Sequence, residues 1–486
     1  MKEVFLEKNQ LYIIRIVEEL YKSQNNEISY KELSEILDID KRVANRLIEE
    51  LVDYDSKQEK PHFKYENHIL SELYDFPPHP SELLHVMIKD TIKYKIIKNI
   101  FWNETCNGTD MSYDLGVSRS IFQKHVAALR KLMRSFNIDF SFYSKEIMKG
   151  DEVLIRFFFH SLLWELDINS IYNESTIIKD ISAFMVQTNP NIDFFTLQRF
   201  LLSAYITEKR TEKKHFVKNS PKYDIEDHPT ISFREFYMLT KETGIYKYCT
   251  NENIEKSEAR HLYFVYCSIV AIPLVNDDSQ EEITTHSDQI IENFIELARK
   301  ELPFRFTTSE INYLKYNLYY LHNMANTIKG NAQIFGAQNL ASKIKTIMPK
   351  DFNRILELIN VHLAKNHKVK ELVDRFPPLY YIYVLLLAAI FKQHKPVIKL
   401  LLQTKVSPLQ LEQLEWIITS TSMFPVEIIS MAESDKAMPD AIMSDWIPPE
   451  QYHNIPFFNL STVTNNSNFT KLEFFLCSLV DEKFTN

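Results

Sequence analysis

Residues 115–134 read LGVSRSIFQKHVAALRKLMR, and the stretch specifies a turn followed by a helix. Gly116 supplies the tight turn, Ser118 is a natural N-cap, and nothing from residue 119 to about 134 breaks a helix. Upstream, DMSYDL makes a short helix. The whole of MSYDLGVSRSIFQKHVAAL therefore matches a helix-turn-helix: small Ser112 where the helices cross, glycine at the turn, Val117 and Phe122 closing the core. At the helical period Ile121, Phe122, Val126, Leu129, Leu132 and Met133 share one side and are expected in the core. The opposite side presents Ser120, Gln123, Lys124, Ala127, Lys131 and Arg134, with Arg119 at its leading edge. Residues at the N-terminal end of such a helix reach base edges, and the later cations suit phosphates.

A similar unit, SYKELSEILDIDKRVANRLIEEL, occupies residues 29–51 with Asp40 as its cap. Its polar side offers Arg42, Asn45 and Arg46, but Glu49 and Glu50 lie beside them, and carboxylates near a phosphate backbone weaken binding. The second unit is thus expected to be the main DNA reader. Charge along the chain agrees. Residues 1–88 hold 11 Lys+Arg against 18 Asp+Glu, net −7; residues 89–149 hold 11 against 6, net +5; residues 151–486 hold 34 against 41, net −7. A chain of formal charge −9 concentrates its positive charge around one helix-turn-helix, and its acidic remainder limits non-specific binding.

The 486 residues are too many for one core, and 45% hydrophobic content excludes general disorder. Cys106, Cys249, Cys267 and Cys477 form no CxxC, so neither a disulfide framework nor a zinc site is indicated, and a reducing cytoplasm is the expected location. The six glycines make no GxGxxG and no phosphate-cradling loop, and no HExxH occurs, so neither a nucleotide cofactor nor a metal is expected. The apolar run at 379–391, LYYIYVLLLAAIF, is shorter than a membrane span and reads as a buried helix.

Breaks at FPPHP (76–80), NSPKYDIEDHP (219–229), VNDDSQEE (275–282), FPP (376–378) and DWIPPEQ (445–451) divide the chain. Helical periodicity dominates up to about residue 392, interrupted near 60–70 and over 139–158 by stretches that read as short hairpins, each in the place of a wing. Residues 181–210 and 295–323 share a plan: a helix, a proline (Pro190, Pro303), a threonine cap (Thr196, Thr308) and a second apolar helix. In the tail, 395–404, 424–431, 439–445 and 456–462 read as strands, with helices at 407–418 and 469–484, an alternation expected of a small, mostly parallel α/β domain. The expected fold is mainly α and multidomain: winged helix-turn-helix units at 1–75 and 79–150, helical domains at 151–274 and 283–392, and an α/β domain at 393–486.

The tandem winged units, the wing-to-helix passage IMKGDEVLIRFFFHSLLWEL (147–166), the duplicated helical domains and the α/β tail together resemble the Mga and AtxA group of transcription and virulence regulators of Gram-positive bacteria. That resemblance implies two phosphotransferase-system regulation domains (PRDs) after the DNA-binding region, then a domain like enzyme IIB of that system. It also implies double-stranded promoter DNA as a partner, homo-oligomerisation, most simply a dimer, through the C-terminal half, and histidine phosphorylation by the system's phosphocarrier protein. In YYLHNMANTIKG it places His322 where such domains keep a phosphorylatable histidine. Sliding by the repeat offset puts Arg210 opposite it in the first copy, which leaves His215 and His261 as candidates there. An active enzyme IIB carries a cysteine after its first strand, and QTKVSP (403–408) has none. No paired carboxylates or nucleophile–base pair point to an enzyme. The alternative to a transcription regulator is a phosphotransferase-system scaffold whose helix-turn-helix folds serve protein contacts.

Overall fold

The computed structural model describes residues 2–23, 26–56, 61–73, 83, 87–103, 107–143, 146–166, 176–190, 192–218, 225–274, 282–286, 288–328, 341–342, 344–345 and 348–404, and in the tail 411, 414–415, 418–419, 425–429, 438–445, 454–459, 471–472, 474–476, 478–480 and 483. The chain forms two compact units, Met1–Val270 with Thr327–Ala332, and Ala271–Asn326 with Gln333–Asn486.

The first unit opens with helices Lys2–Phe5 and Lys8–Lys22. Strand Glu27–Ser29, helices Tyr30–Ile36 and Lys41–Asp55, and strands Phe63–Glu66 and Ile69–Glu72 follow. The last two strands are the expected hairpin. The first, EIS, is an addition to it, pairing antiparallel with Ile69–Glu72 to complete a three-stranded sheet. It is short and runs straight into a helix, which hides it from periodicity. Helices Ile92–Asn103, Gly108–Asp114 and Arg119–Arg134 and a two-stranded ribbon build the second winged unit.

The ribbon is smaller than expected over 139–158. Only Asp139–Phe140 pairs with Met148–Lys149, and Glu152–Leu166 is a helix. The Asp151 carboxylate accepts from the Val153 amide and starts it. Its residues Val153, Leu154, Ile155, Phe157, Phe158 and Phe159 are all buried, so the helix is enclosed on every side and its apolar residues lack the 3.6 period that would separate it from a strand. Helices Thr176–Thr188, Phe194–Glu212, Phe233–Glu242 and Glu252–Ile269 complete this unit.

The second unit holds helices Gln289–Glu301, Thr308–Thr327, Pro349–Lys365, His367–Arg375 and Pro378–Gln393. The last is the expected buried helix, with Leu379, Val384, Leu387, Ile390 and Phe391 fully enclosed. Among the described residues no single helix is long and apolar enough to cross a membrane. Strands Val426–Ile429, Ile398–Gln403, Ala441–Ser444 and Phe457–Asn459 then lie side by side in that order, all parallel. These are the four strands expected in the tail, and Leu401, Ile429 and Ile442 form their core. The helices expected at 407–418 and 469–484 fall largely outside the described residues.

The shared plan of the helical regions holds with corrected caps. Asp193, not Thr196, caps Phe194–Glu212, and Thr307, not Thr308, exchanges hydrogen bonds with Glu310 at the start of Thr308–Thr327. Either threonine suits a cap by residue type, but a cap is chosen by which side chain meets the free amides of the first turn. Aligning Asp193 with Thr307 moves the register by two residues, so Glu208 rather than Arg210 stands opposite His322.

Candidate nucleic-acid interface

The second winged unit is assembled by local bonds. Asn107 caps Gly108–Asp114 by accepting from the Thr109 amide at 3.0 Å. The chain reverses at Gly116, whose φ of +63° no L-residue adopts cheaply, and the Val117 amide closes the turn on the Ser112 carbonyl at 3.0 Å. Ser118 then accepts from the Ile121 amide and Arg119–Arg134 begins, with the bounds expected from sequence. Phe122, Val126, Leu129 and Met133 face the core, where Phe122 meets Phe142 with ring centroids 5.5 Å apart. Ile121 is 47% exposed, a correction to the expected core face, and Leu132 is only partly buried. The core approaches this helix more narrowly than a half-cylinder, so residues at the rim of the apolar arc stay outside. The Arg130 guanidinium donates to the Phe140 carbonyl at 2.9 Å and ties the helix to its wing.

Arg119, Ser120, Lys124, Lys131 and Arg134 are exposed on one helix, and Gln123 is half-buried beside them. The Gln123 amide nitrogen donates to the Tyr143 hydroxyl on the wing at 3.3 Å. On the flank, burial, with Lys93 nearby, holds His125 below the ordinary histidine range. One face of this helix thus presents hydrogen-bonding residues at the tip and cations along the shaft, with no carboxylate between them.

The first winged unit repeats this plan 78 residues earlier. Ser29, Ser34, Ile39 and Asp40 stand where Asn107, Ser112, Val117 and Ser118 stand, and the Ile39 amide bonds the Ser34 carbonyl at 3.1 Å as Val117 bonds Ser112. Asp38, at φ +49°, replaces the turn glycine. Arg42 and Arg46 are exposed. Asn45 is not available in the same way: its nitrogen donates to Glu49 at 2.7 Å and its oxygen accepts from the Tyr65 hydroxyl. Asp55, buried at the helix end, accepts from the backbone amides of His62 and Phe63 and fixes the wing.

The N-terminus joins the two winged units. Helix Lys8–Lys22 packs on Lys41–Asp55, while Lys2–Phe5 packs on Arg119–Arg134 with Phe5 and Leu6 buried and Lys93 donating to the Phe5 carbonyl at 3.4 Å. Sequence reading missed this segment and the wing tyrosines. The 78-residue offset was the signal that could have found the tyrosines.

Behind the second winged unit, Glu152–Leu166 continues from the wing into a buried charge network. Arg156 bonds Glu152 at 3.0 Å and Glu258 at 2.6 Å, and Arg210 bonds Glu152 at 2.8 Å. Burial would raise the Glu152 carboxyl, but Arg210 and Arg156 outweigh it and bring it to about 2. Two cations facing two carboxylates keep the site neutral. Arg156 also donates to the His215 carbonyl at 3.0 Å, and Lys213 donates to the Phe101 carbonyl at 2.7 Å.

The candidate histidines fall in both units. His215 is half-buried and His261 buried in the first unit, where burial, then the Arg156 charge, lowers His261 to about 3. His322, 2% exposed, lies in the second unit with Nε2 on the Tyr383 hydroxyl at 2.7 Å, and burial lowers it to about 4. Its Nδ1 has no hydrogen-bond partner among the described residues. His362 contacts the same tyrosine ring and is held at about 4 by burial and by His322. Among the described residues no three His, Cys, Asp or Glu side chains group as a metal site.

Residues 79–163 match the family model of the Mga helix-turn-helix domain. That match supports an Mga-type regulator. The matched span covers the second winged unit and runs into Glu152–Leu166, so it holds the basic helix and leaves the first winged unit outside. No curated protein matches the chain. The matched domain is that of a DNA-binding transcription regulator.

Proposed function

We propose that the chain is an Mga-type regulator that binds promoter DNA chiefly through Arg119–Arg134, with Arg119, Ser120, Gln123 and Lys124 at base edges and Lys131 and Arg134 on phosphates. The observation that carries the reading is the exposure of five cationic or hydrogen-bonding side chains on a helix whose other face is locked in the core. Arg42 and Arg46 of the first winged unit add phosphate contacts. Mobility-shift titrations of the full chain on promoter fragments at rising salt test this. Each neutralised phosphate releases counterions, so affinity falls steeply with salt. Retention of DNA that is absent, or indifferent to salt, refutes it and favours the scaffold alternative.

Control lies in the helical regions, read as PRD-like, and in the parallel α/β tail, read as enzyme IIB-like without its cysteine. The protein acts as a dimer through its C-terminal half in the cytoplasm and takes phosphate on histidine from the phosphocarrier. His322 is the first candidate, with His215 and His261 behind it. Lys315 is engaged by Glu282 and Glu292, each at 3.0 Å, and offers His322 no counter-charge. A phosphate on a side chain so enclosed forces repacking around Tyr383, and that repacking is the signal. Phosphoenolpyruvate-driven labelling of the full chain should disappear in His322→Ala. Equal labelling of both proteins removes His322 from the reading.

A further inference from the structure

Each recognition helix carries an amide side chain at its fifth residue, Asn45 and Gln123, and each amide is bonded to a wing tyrosine twenty residues on, Tyr65 and Tyr143. The pair recurs at the 78-residue offset although the residues around it differ, so it belongs to the plan of the unit. The two versions are wired in opposite senses. In the first, Tyr65 donates to the Asn45 oxygen and the Asn45 nitrogen donates to Glu49, so both ends of the amide are engaged within the protein. In the second, the Gln123 nitrogen gives one hydrogen to Tyr143, and the amide oxygen and the second N–H have no hydrogen-bond partner among the described residues. Tyr143 is 74% exposed, and having accepted from Gln123 its hydroxyl still holds a proton to donate.

An amide that accepts through oxygen and donates through nitrogen is the complement of adenine in the major groove, whose N6 donates and N7 accepts. A free glutamine side chain samples many rotamers, and holding one before binding removes part of the ordering cost. We propose that Tyr143 is a positioning residue that holds Gln123 in the orientation that reads an adenine, while Asn45, engaged on both sides, reads no base. The proposal rests on the second winged unit being the DNA reader. It adds which side chain sets the base preference and why the first unit sets none.

The test uses the full chain with a randomised double-stranded DNA library, then mobility shifts on the selected site and on single-base variants of it. Gln123→Ala should lose the preference at one A·T pair by on the order of tenfold. Tyr143→Phe should lose preference at the same pair and no other, and the double variant should be no worse there than Gln123→Ala. Tyr65→Phe should leave the preference profile unchanged. Because Tyr143 lies on the surface, its substitution leaves the core intact. Full preference retained in Tyr143→Phe, or a loss spread evenly over all sequences, overturns the positioning role. A wild-type protein that selects no sequence at all fails differently: it removes the reading of the second unit itself.

Discussion

Helices Lys41–Asp55 and Arg119–Arg134 occupy equivalent places in two units built on one plan, yet the first carries three cations against four carboxylates and the second five cations and no carboxylate. The difference extends to how each helix holds its wing. In the first unit an acid, Asp55, collects the wing amides; in the second a base, Arg130, donates to a wing carbonyl. Each bond does the same mechanical work, but with opposite effect on the local field. Two units built on one plan can therefore share their geometry while differing in the sign of the charge on the equivalent helix. The family match falls on the cationic one.

The largest expected effect separates the copies by DNA affinity. Arg119→Ala and Lys124→Ala should each weaken promoter binding by about 1–3 kcal/mol where the side chain meets a base. Arg42→Ala and Arg46→Ala should cost less, and equally for all sequences, lowering the salt slope by about one per lost phosphate contact. Full-chain titrations at two salt concentrations check both. A first-unit variant more damaging than Arg119→Ala reverses the ranking of the two helices.

A smaller effect concerns the turns. Gly116 at φ +63° has no atom within 4 Å of where a Cβ would lie, so Gly116→Ala meets no clash and its cost is the left-handed backbone alone, about 1–2 kcal/mol. Asp38 sits in the same conformation at φ +49° and tolerates it, so Asp38→Gly should move stability by less than about 1 kcal/mol. Amide exchange within residues 41–55 and 119–134 reads the two changes separately. Equal loss of protection in both helices would show that the turns are not equivalent in the way their hydrogen bonds indicate.

What was legible in the sequence follows from where each determinant lies. Ser118, Gly116 and the helix they start are specified by neighbours within four residues, and the structure places them as read. Ile121 was misjudged because its exposure depends on the angle at which the core meets the helix, which no local pattern records. The start of Glu152–Leu166 reads as a strand because burial on every side erases periodicity. The bonds of Tyr143 and Tyr65 cross from wing to helix, and the docking of Phe5 spans most of the DNA-binding region, so both required the fold. The bond of His322 to Tyr383 joins residues 61 apart in sequence, beyond the reach of any local pattern.

The smallest expected effect has the opposite sign and bears most directly on the comparison. Glu49 and Glu50 are exposed on the first recognition helix, where a bound phosphate backbone would feel their charge. Glu49→Gln keeps an oxygen to accept from the Asn45 amide, which Glu49 does now at 2.7 Å, so it removes the charge while preserving the bond. Glu50→Gln removes a charge for which no such bond needs preserving. Through water and at physiological salt, one charge near a phosphate amounts to roughly 0.3–0.5 kcal/mol, so each variant should tighten promoter binding about twofold. The gain should shrink as salt rises, since screening weakens the repulsion being relieved. Tightening confined to low salt places the first helix at the DNA backbone as an attenuated copy of the second. No change at any salt places it away from DNA, leaving Lys41–Asp55 to brace the second reader through the N-terminal helices.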